Sequence, residues 1–137
     1  MMIEYINNIP AIDDYWPLFQ STGWNSFYNT DASTIERAIS NSTFAVSAYS
    51  KGKLVGFARA VSDKVMYATI YDVIVLPEYK SKGIGSKLVT NITKQCKDAG
   101  VFSVHLFAAD GTEVFYNQQG FKARPPNMPG MRHEPNA

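Results

Sequence analysis

Cysteine is almost missing from this chain. Cys96 is the single one, so no disulfide can close within it and no cysteine-based zinc pattern exists. Histidine is nearly as scarce: His105 alternates within a strand-like run and His133 sits in the tail, and both read as structural or solvated rather than catalytic. Charge of one sign is lacking too. Thirteen Lys and Arg against 12 Asp and Glu leave a net charge of +1, which denies the chain the broad basic field that nonspecific nucleic-acid binding needs. That balance leaves a local phosphate site open. No apolar run approaches the length of a membrane span, and the first ten residues, MMIEYINNIP, carry an acid and two Asn where a signal peptide has a basic start and an apolar stretch. The expectation is a cytoplasmic protein with no metal and with neither nucleic acid nor membrane as partner.

What is present is ordinary for a globular protein: 137 residues, 45% hydrophobic and 18% charged, fit one domain over 1–137 with a short Pro-rich tail at 125–137. Met2 to Ile6 reads as an edge strand, cut by Asn7, Asn8 and Pro10. Ile12, Tyr15, Trp16 and Phe19 recur at helical spacing, and Gly23 suits the end of that helix. Asp31 and Ser33 offer caps to a second helix, Ser33 with Glu36 at capping-box spacing. Thr43 to Tyr49, Leu54 to Val61 and Val65 to Leu76 are β-branched and aromatic runs separated by the turns Ser50–Lys53 and Ser62–Lys64, so 43–76 predicts an antiparallel meander.

At Pro77 the period changes. Ile84, Leu88, Ile92 and Cys96 recur every four residues, predicting a helix that ends near Gly100 with Cys96 as a small core residue. Val101 to Ala108 reads as a central strand. Thr112 to Gln119 predicts a short helix closed by Gly120, and Phe121 begins a last strand. The fold class is α+β, with a mixed, mostly antiparallel central sheet flanked by helices, in the chain order β-α-α-β-β-β-α-β-α-β. The crossover helix makes the strands before and after it parallel neighbours, whose carboxyl ends bound a crevice.

Between the long strand and the crossover helix lies Pro77-Glu78-Tyr79-Lys80-Ser81-Lys82-Gly83-Ile84-Gly85-Ser86. Two glycines at a helix N-terminus let an anion approach unpaired N–H groups, and Lys80 and Lys82 add positive charge. This is neither a Walker loop nor a dinucleotide fingerprint, because the Gly-Lys-Ser/Thr ending of the first and the third Gly of the second are missing. A solvated basic turn is the bland reading of such a short motif.

Asp72-Val73-Ile74-Val75-Leu76-Pro77-Glu78-Tyr79 followed by Lys80 to Gly85 resembles the acyl-CoA-binding motif of the GCN5-related N-acetyltransferase (GNAT) family. The family's helix order, its hydrophobic crossover helix and a downstream Phe115-Tyr116-Asn117-Gln118-Gln119-Gly120-Phe121 extend the resemblance over nearly the whole chain. Lys80 departs from the family's Gln or Arg, and an ammonium does not replace a guanidinium's planar fork in full. The resemblance implies an enzyme that moves an acetyl group from acetyl-CoA to a primary amine of a small molecule, or of a protein, in a ternary complex. A non-catalytic acyl-CoA-binding or regulatory domain is the alternative, and a homodimer is compatible with the family.

The resemblance further implies cofactor contacts from Lys80, Ser81, Lys82, Gly83, Ile84, Gly85, Ser86 and Asn117, and a bend or bulge at Val73, Ile74 and Val75 that offers backbone to the pantetheine arm. It makes Tyr116 the acid that protonates the departing thiolate, a transfer that needs good geometry between a phenol and a thiol. For the amine's proton Asp72 is the candidate base, an acid at a strand position where Asp is disfavoured; a water chain is the alternative. Trp24 and Tyr28, with Phe27 between the first two helices, are candidates for the acceptor pocket.

Overall fold

The structure, a computed structural model, describes residues 2–134. It divides into two compact units between Leu106 and Phe107. The first contains β1 (Glu4–Ile6), α1 (Ile12–Gln20), α2 (Asn25–Tyr28), α3 (Ala32–Ser40), β2 (Phe44–Ser50), β3 (Lys53–Ser62), β4 (Tyr67–Val75), a 3-10 turn (Pro77–Tyr79), α4 (Ile84–Asp98) and β5 (Ser103–Leu106). The second contains α5 (Glu113–Gln118).

Among the described residues the strands form one sheet in the order β1-β2-β3-β4-β5. The meander is present: β1 with β2, β2 with β3 and β3 with β4 are antiparallel, whereas β4 and β5 are parallel across the α4 crossover. The long third run starts two residues later than its composition suggests. Asp63 causes this, since its Oδ1 gathers the N–H groups of Val65, Met66 and Tyr67 at 2.8, 2.8 and 3.1 Å and holds them in the turn.

Successive residues of β3 face opposite sides of the sheet. Phe57 packs edge-on against Tyr15 of α1, with ring centroids 4.9 Å apart. Gly56 faces α4: a Cβ there would lie 3.0 Å from Leu88 Cδ1 and 3.2 Å from both Ile84 Cγ2 and the Ile74 carbonyl oxygen. Only a residue without a side chain lets helix and sheet approach so closely. The apolar stripe of α4, Ile84, Leu88, Val89, Ile92 and Cys96, is buried, and burial of Cys96 raises its thiol above the ordinary range.

Three expectations change. The strand expected to be central, β5, lies at the end of the sheet, half-buried along its length, and the last strand expected from Phe121 is not formed among the described residues; Pro125 and Pro126 follow too soon for a ladder to propagate. The aromatic stretch between the first helices is not an open loop but contains α2, closed by Asn29 at φ 50° and by Asn25, whose side chain binds both N–H and carbonyl of Thr30. At α3 the cap is Asp31, which accepts from the Thr34 N–H at 2.9 Å; Ser33 lies within the helix, so its box with Glu36 does not form.

Candidate functional site

The site is built on the carboxyl half of β4. Arg59 pairs with Tyr71 and Phe57 with Ile74, so two steps along β3 meet three along β4. That extra residue is a β-bulge at Asp72 and Val73. Asp72 takes the left-handed conformation, φ 56°, which Asp tolerates better than most side chains. The bulge therefore begins just before the expected bend at Val73 to Val75.

β5 pairs with β4 only from Tyr67 to Ile70. Beyond that point the outer edge of β4, including Val73, Ile74 and Val75, has no strand partner among the described residues. The side chain of Ile74 is buried, while Val73 and Val75 are half-buried. Their side chains thus belong to packing. Their backbone groups on that edge are free to pair with an extended ligand.

The glycine loop follows directly. Ser81 and Gly83 both have positive φ, 62° and 83°, and a Cβ built on Gly83 meets nothing within 4 Å. Lys80, Ser81 and Lys82 are exposed, and Ile84 is buried as the anchor of α4. The N–H groups of Gly83, Ile84, Gly85 and Ser86 find no acceptor among the described residues, the first helical bond being Lys87 N–H to the Gly83 carbonyl at 3.2 Å. Four converging donors, a partial positive charge at the helix start and two flanking ammonium groups suit a multiply charged phosphate group. The donor set fits the pyrophosphate of a coenzyme A.

In the second unit, Tyr116 lies on α5, half-buried between Phe115 and Phe121, with ring centroids at 5.0 and 6.2 Å. Burial raises its hydroxyl above the ordinary tyrosine range, so it holds its proton throughout the neutral range. The turn that ends the helix is closed on the same residue: the Tyr116 carbonyl accepts from the N–H groups of Gln119 and Phe121, each at 3.0 Å. Asn117 is exposed one residue on.

Asp72 is not a free carboxylate. Its Oδ2 accepts from Arg59 Nε at 2.7 Å, with side chains only 15% and 24% exposed. Arg59 also donates from Nη1 to the Ala38 carbonyl at 3.3 Å, and the Tyr71 ring centroid lies 5.7 Å from its Cζ. Tyr15, fully buried on α1, keeps a hydroxyl without a hydrogen-bond partner among the described residues. Its pKa is raised by burial first and by the Asp72 charge second, with Arg59 opposing. Sequence reasoning singled out neither Arg59 nor Tyr15 for the site. The signal for Arg59 was a lone charge inside the apolar run Leu54 to Val61.

Trp24 is half-buried and packs edge-on against Phe19 at 6.2 Å; Tyr28 lies 6.3 Å from the same ring. Tyr28 and Phe27 are exposed by 58% and 72%, leaving aromatic faces open to a ligand. His105 meets Ser103 at 3.1 Å, a contact within one strand, and His133 is exposed.

Residues 9–121 match the model of the Acetyltransferase (GNAT) family. The uncharacterized N-acetyltransferase ycf52-like of Prochlorococcus marinus is 35% identical over 112 residues, 79% of this chain, which spans 61% of the length of that relative. A GNAT family acetyltransferase from Streptococcus pneumoniae superposes with TM-score 0.78 at 27% identity, covering 97% of this chain and 100% of its own. The PaiA N-acetyltransferase of Thermoplasma acidophilum, solved in complex with coenzyme A, has the same fold at TM-score 0.65 and 23% identity, over 90% of this chain and 92% of its own. Among the described residues no helix is long and apolar enough to cross a membrane.

Proposed function

This chain belongs to the GNAT acetyltransferase family, and from that premise we propose that it is an acetyl-CoA-dependent N-acetyltransferase acting on a primary amine of a small molecule. The observation that carries the reading is the set of unpartnered N–H groups at residues 83–86, directly after the open edge of β4. Acetyl-CoA supplies the activated acetyl thioester. Everything else falls to the chain.

The amides of Gly83 to Ser86 hold the pyrophosphate, with Lys80 and Lys82 adding long-range attraction. The free edge of Val73 to Val75 takes the pantetheine arm as an extra strand takes a sheet edge, and an N–H near Val75 polarises the carbonyl oxygen. Tyr116 donates its proton to the leaving thiolate; its raised pKa keeps the acid in its protonated form. The proton lost by the amine goes to water, since the Asp72 carboxylate is engaged by Arg59. The apolar faces of Trp24 and Tyr28 receive the carbon skeleton of the acceptor.

A panel of amines incubated with acetyl-CoA, followed by release of free thiol, tests this reading. At least one small amine gives enzyme-dependent thiol release together with an acetylated product. Tight coenzyme A binding with no acetylation of any amine would instead make the chain an acyl-CoA-binding domain.

A further inference from the structure

We propose that Arg59 is a positioning residue for acetyl transfer, which with Asp72 locks the β4 bulge and so fixes the register of the edge at Val73 to Val75. The inference rests on the reading that this edge holds the thioester arm.

A bulge residue in the left-handed conformation is most often glycine, because any side chain there is strained. Here the position is Asp72, at φ 56°. Such a residue persists only where its surroundings over-determine it. Its carboxylate is bound by Arg59 Nε at 2.7 Å, and the same guanidinium reaches the Ala38 carbonyl in α3 and lies over the ring of Tyr71, the residue before the bulge. One side chain on β3 thus ties the bulge of β4 to a helix on the face of α1.

The consequence is a matter of register. Residues of a strand alternate between faces, so losing the extra residue at the bulge would turn Val73, Ile74 and Val75 over. Ile74 would leave the core and the free edge would present different N–H and carbonyl groups. Removing Arg59 would also leave the Asp72 carboxylate unpaired near the buried Tyr15 hydroxyl, which already lacks a partner. A planar guanidinium that donates in two directions at once suits the clamp better than an ammonium.

The test compares three variants at Asp72 and two at Arg59 with the unaltered protein, by calorimetric titration of coenzyme A and by kcat and KM for the best amine of the panel. Asp72→Gly takes the left-handed backbone without strain but loses the clamp; its coenzyme A affinity falls by about tenfold or more. Asp72→Ala loses both and is worse. Asp72→Asn keeps an oxygen for Arg59 Nε and weakens affinity by about threefold, with kcat reduced to a similar degree. Arg59→Met keeps the strained Asp72 and leaves its carboxylate unpaired, so its loss is at least that of Asp72→Ala, and Arg59→Lys recovers part of it. Unaltered coenzyme A affinity in Asp72→Gly overturns the clamp. So does an equal collapse of kcat in Asp72→Asn and Asp72→Gly with coenzyme A affinity intact, which would make Asp72 the base. If the unaltered protein itself fails to bind coenzyme A, the functional reading falls and this proposal with it.

Discussion

The glycine loop and the β4 bulge are adjacent in the chain yet hold their shapes by opposite means. From Gly83 to Ser86 the working groups are backbone N–H donors, and the side chains around them are absent, exposed or turned into the core. At Asp72 the backbone is equally unusual, but a side chain drawn from another strand keeps it so. A donor cradle made by a helix start is complete once the helix forms. A bulge in mid-strand competes with a regular ladder at every step, so it needs a tie. Gly56 is common to both regions: a Cβ there would meet Ile74 of the bulged strand and Ile84 and Leu88 of the helix that the loop begins.

Four substitutions separate binding from chemistry and one region from the other. Tyr116→Phe leaves both regions intact and should lower kcat by about 100-fold, the low end of general-acid contributions, with coenzyme A affinity unchanged. Because burial raises Tyr116, the rate in the unaltered enzyme should climb as the acceptor amine deprotonates and decline only above the ordinary tyrosine range, as the phenol ionises. A pH profile with an earlier alkaline limb contradicts this acid.

Gly83→Val forces a β-branched side chain to φ 83° and breaks the loop alone. About 1–2 kcal/mol of left-handed strain falls on the conformation that binds, so coenzyme A affinity drops by roughly 5- to 30-fold. Gly56→Ala acts on both regions at once. Its Cβ meets the Ile74 carbonyl, which cannot yield as a flexible side chain would, and overpacking of this kind costs about 1–3 kcal/mol, read as a lower thermal midpoint together with weaker coenzyme A binding. Lys80→Ala is the mildest: an exposed ammonium near a phosphate contributes about 0.2–1 kcal/mol, so affinity falls by about threefold, and added salt erases the difference.

The two regions also differ in how readily they are read from sequence. Local features were plain. The four-residue period of Ile84, Leu88, Ile92 and Cys96 marked α4, the turns at Gly52 and Asp63 marked the meander, and Gly83 and Gly85 marked the turn into α4, because each depends on residues close together in the chain. Thr112 to Gln119, closed by Gly120, marked the short helix of the second unit in the same way. The Arg59–Asp72 tie spans 13 positions, and neither residue carries a local trace of the other. For the same reason the place of β5 at the sheet end was missed: an apolar run looks alike in a central and a terminal strand, and pairing decides which it is. The short helix α2 was hidden because Asn25 supports it through side-chain bonds to Thr30 and Asn29 through a left-handed cap, rather than through apolar periodicity.

The role assigned to the loop amides is tested most directly by titrating two ligands, coenzyme A and its pantetheine fragment, into the unaltered protein and into Gly83→Val. If residues 83–86 hold the pyrophosphate, the substitution weakens coenzyme A by about fivefold or more and leaves binding of the fragment, which has no pyrophosphate, as it was. Equal losses for both ligands would contradict that assignment and move the coenzyme A site elsewhere on the chain.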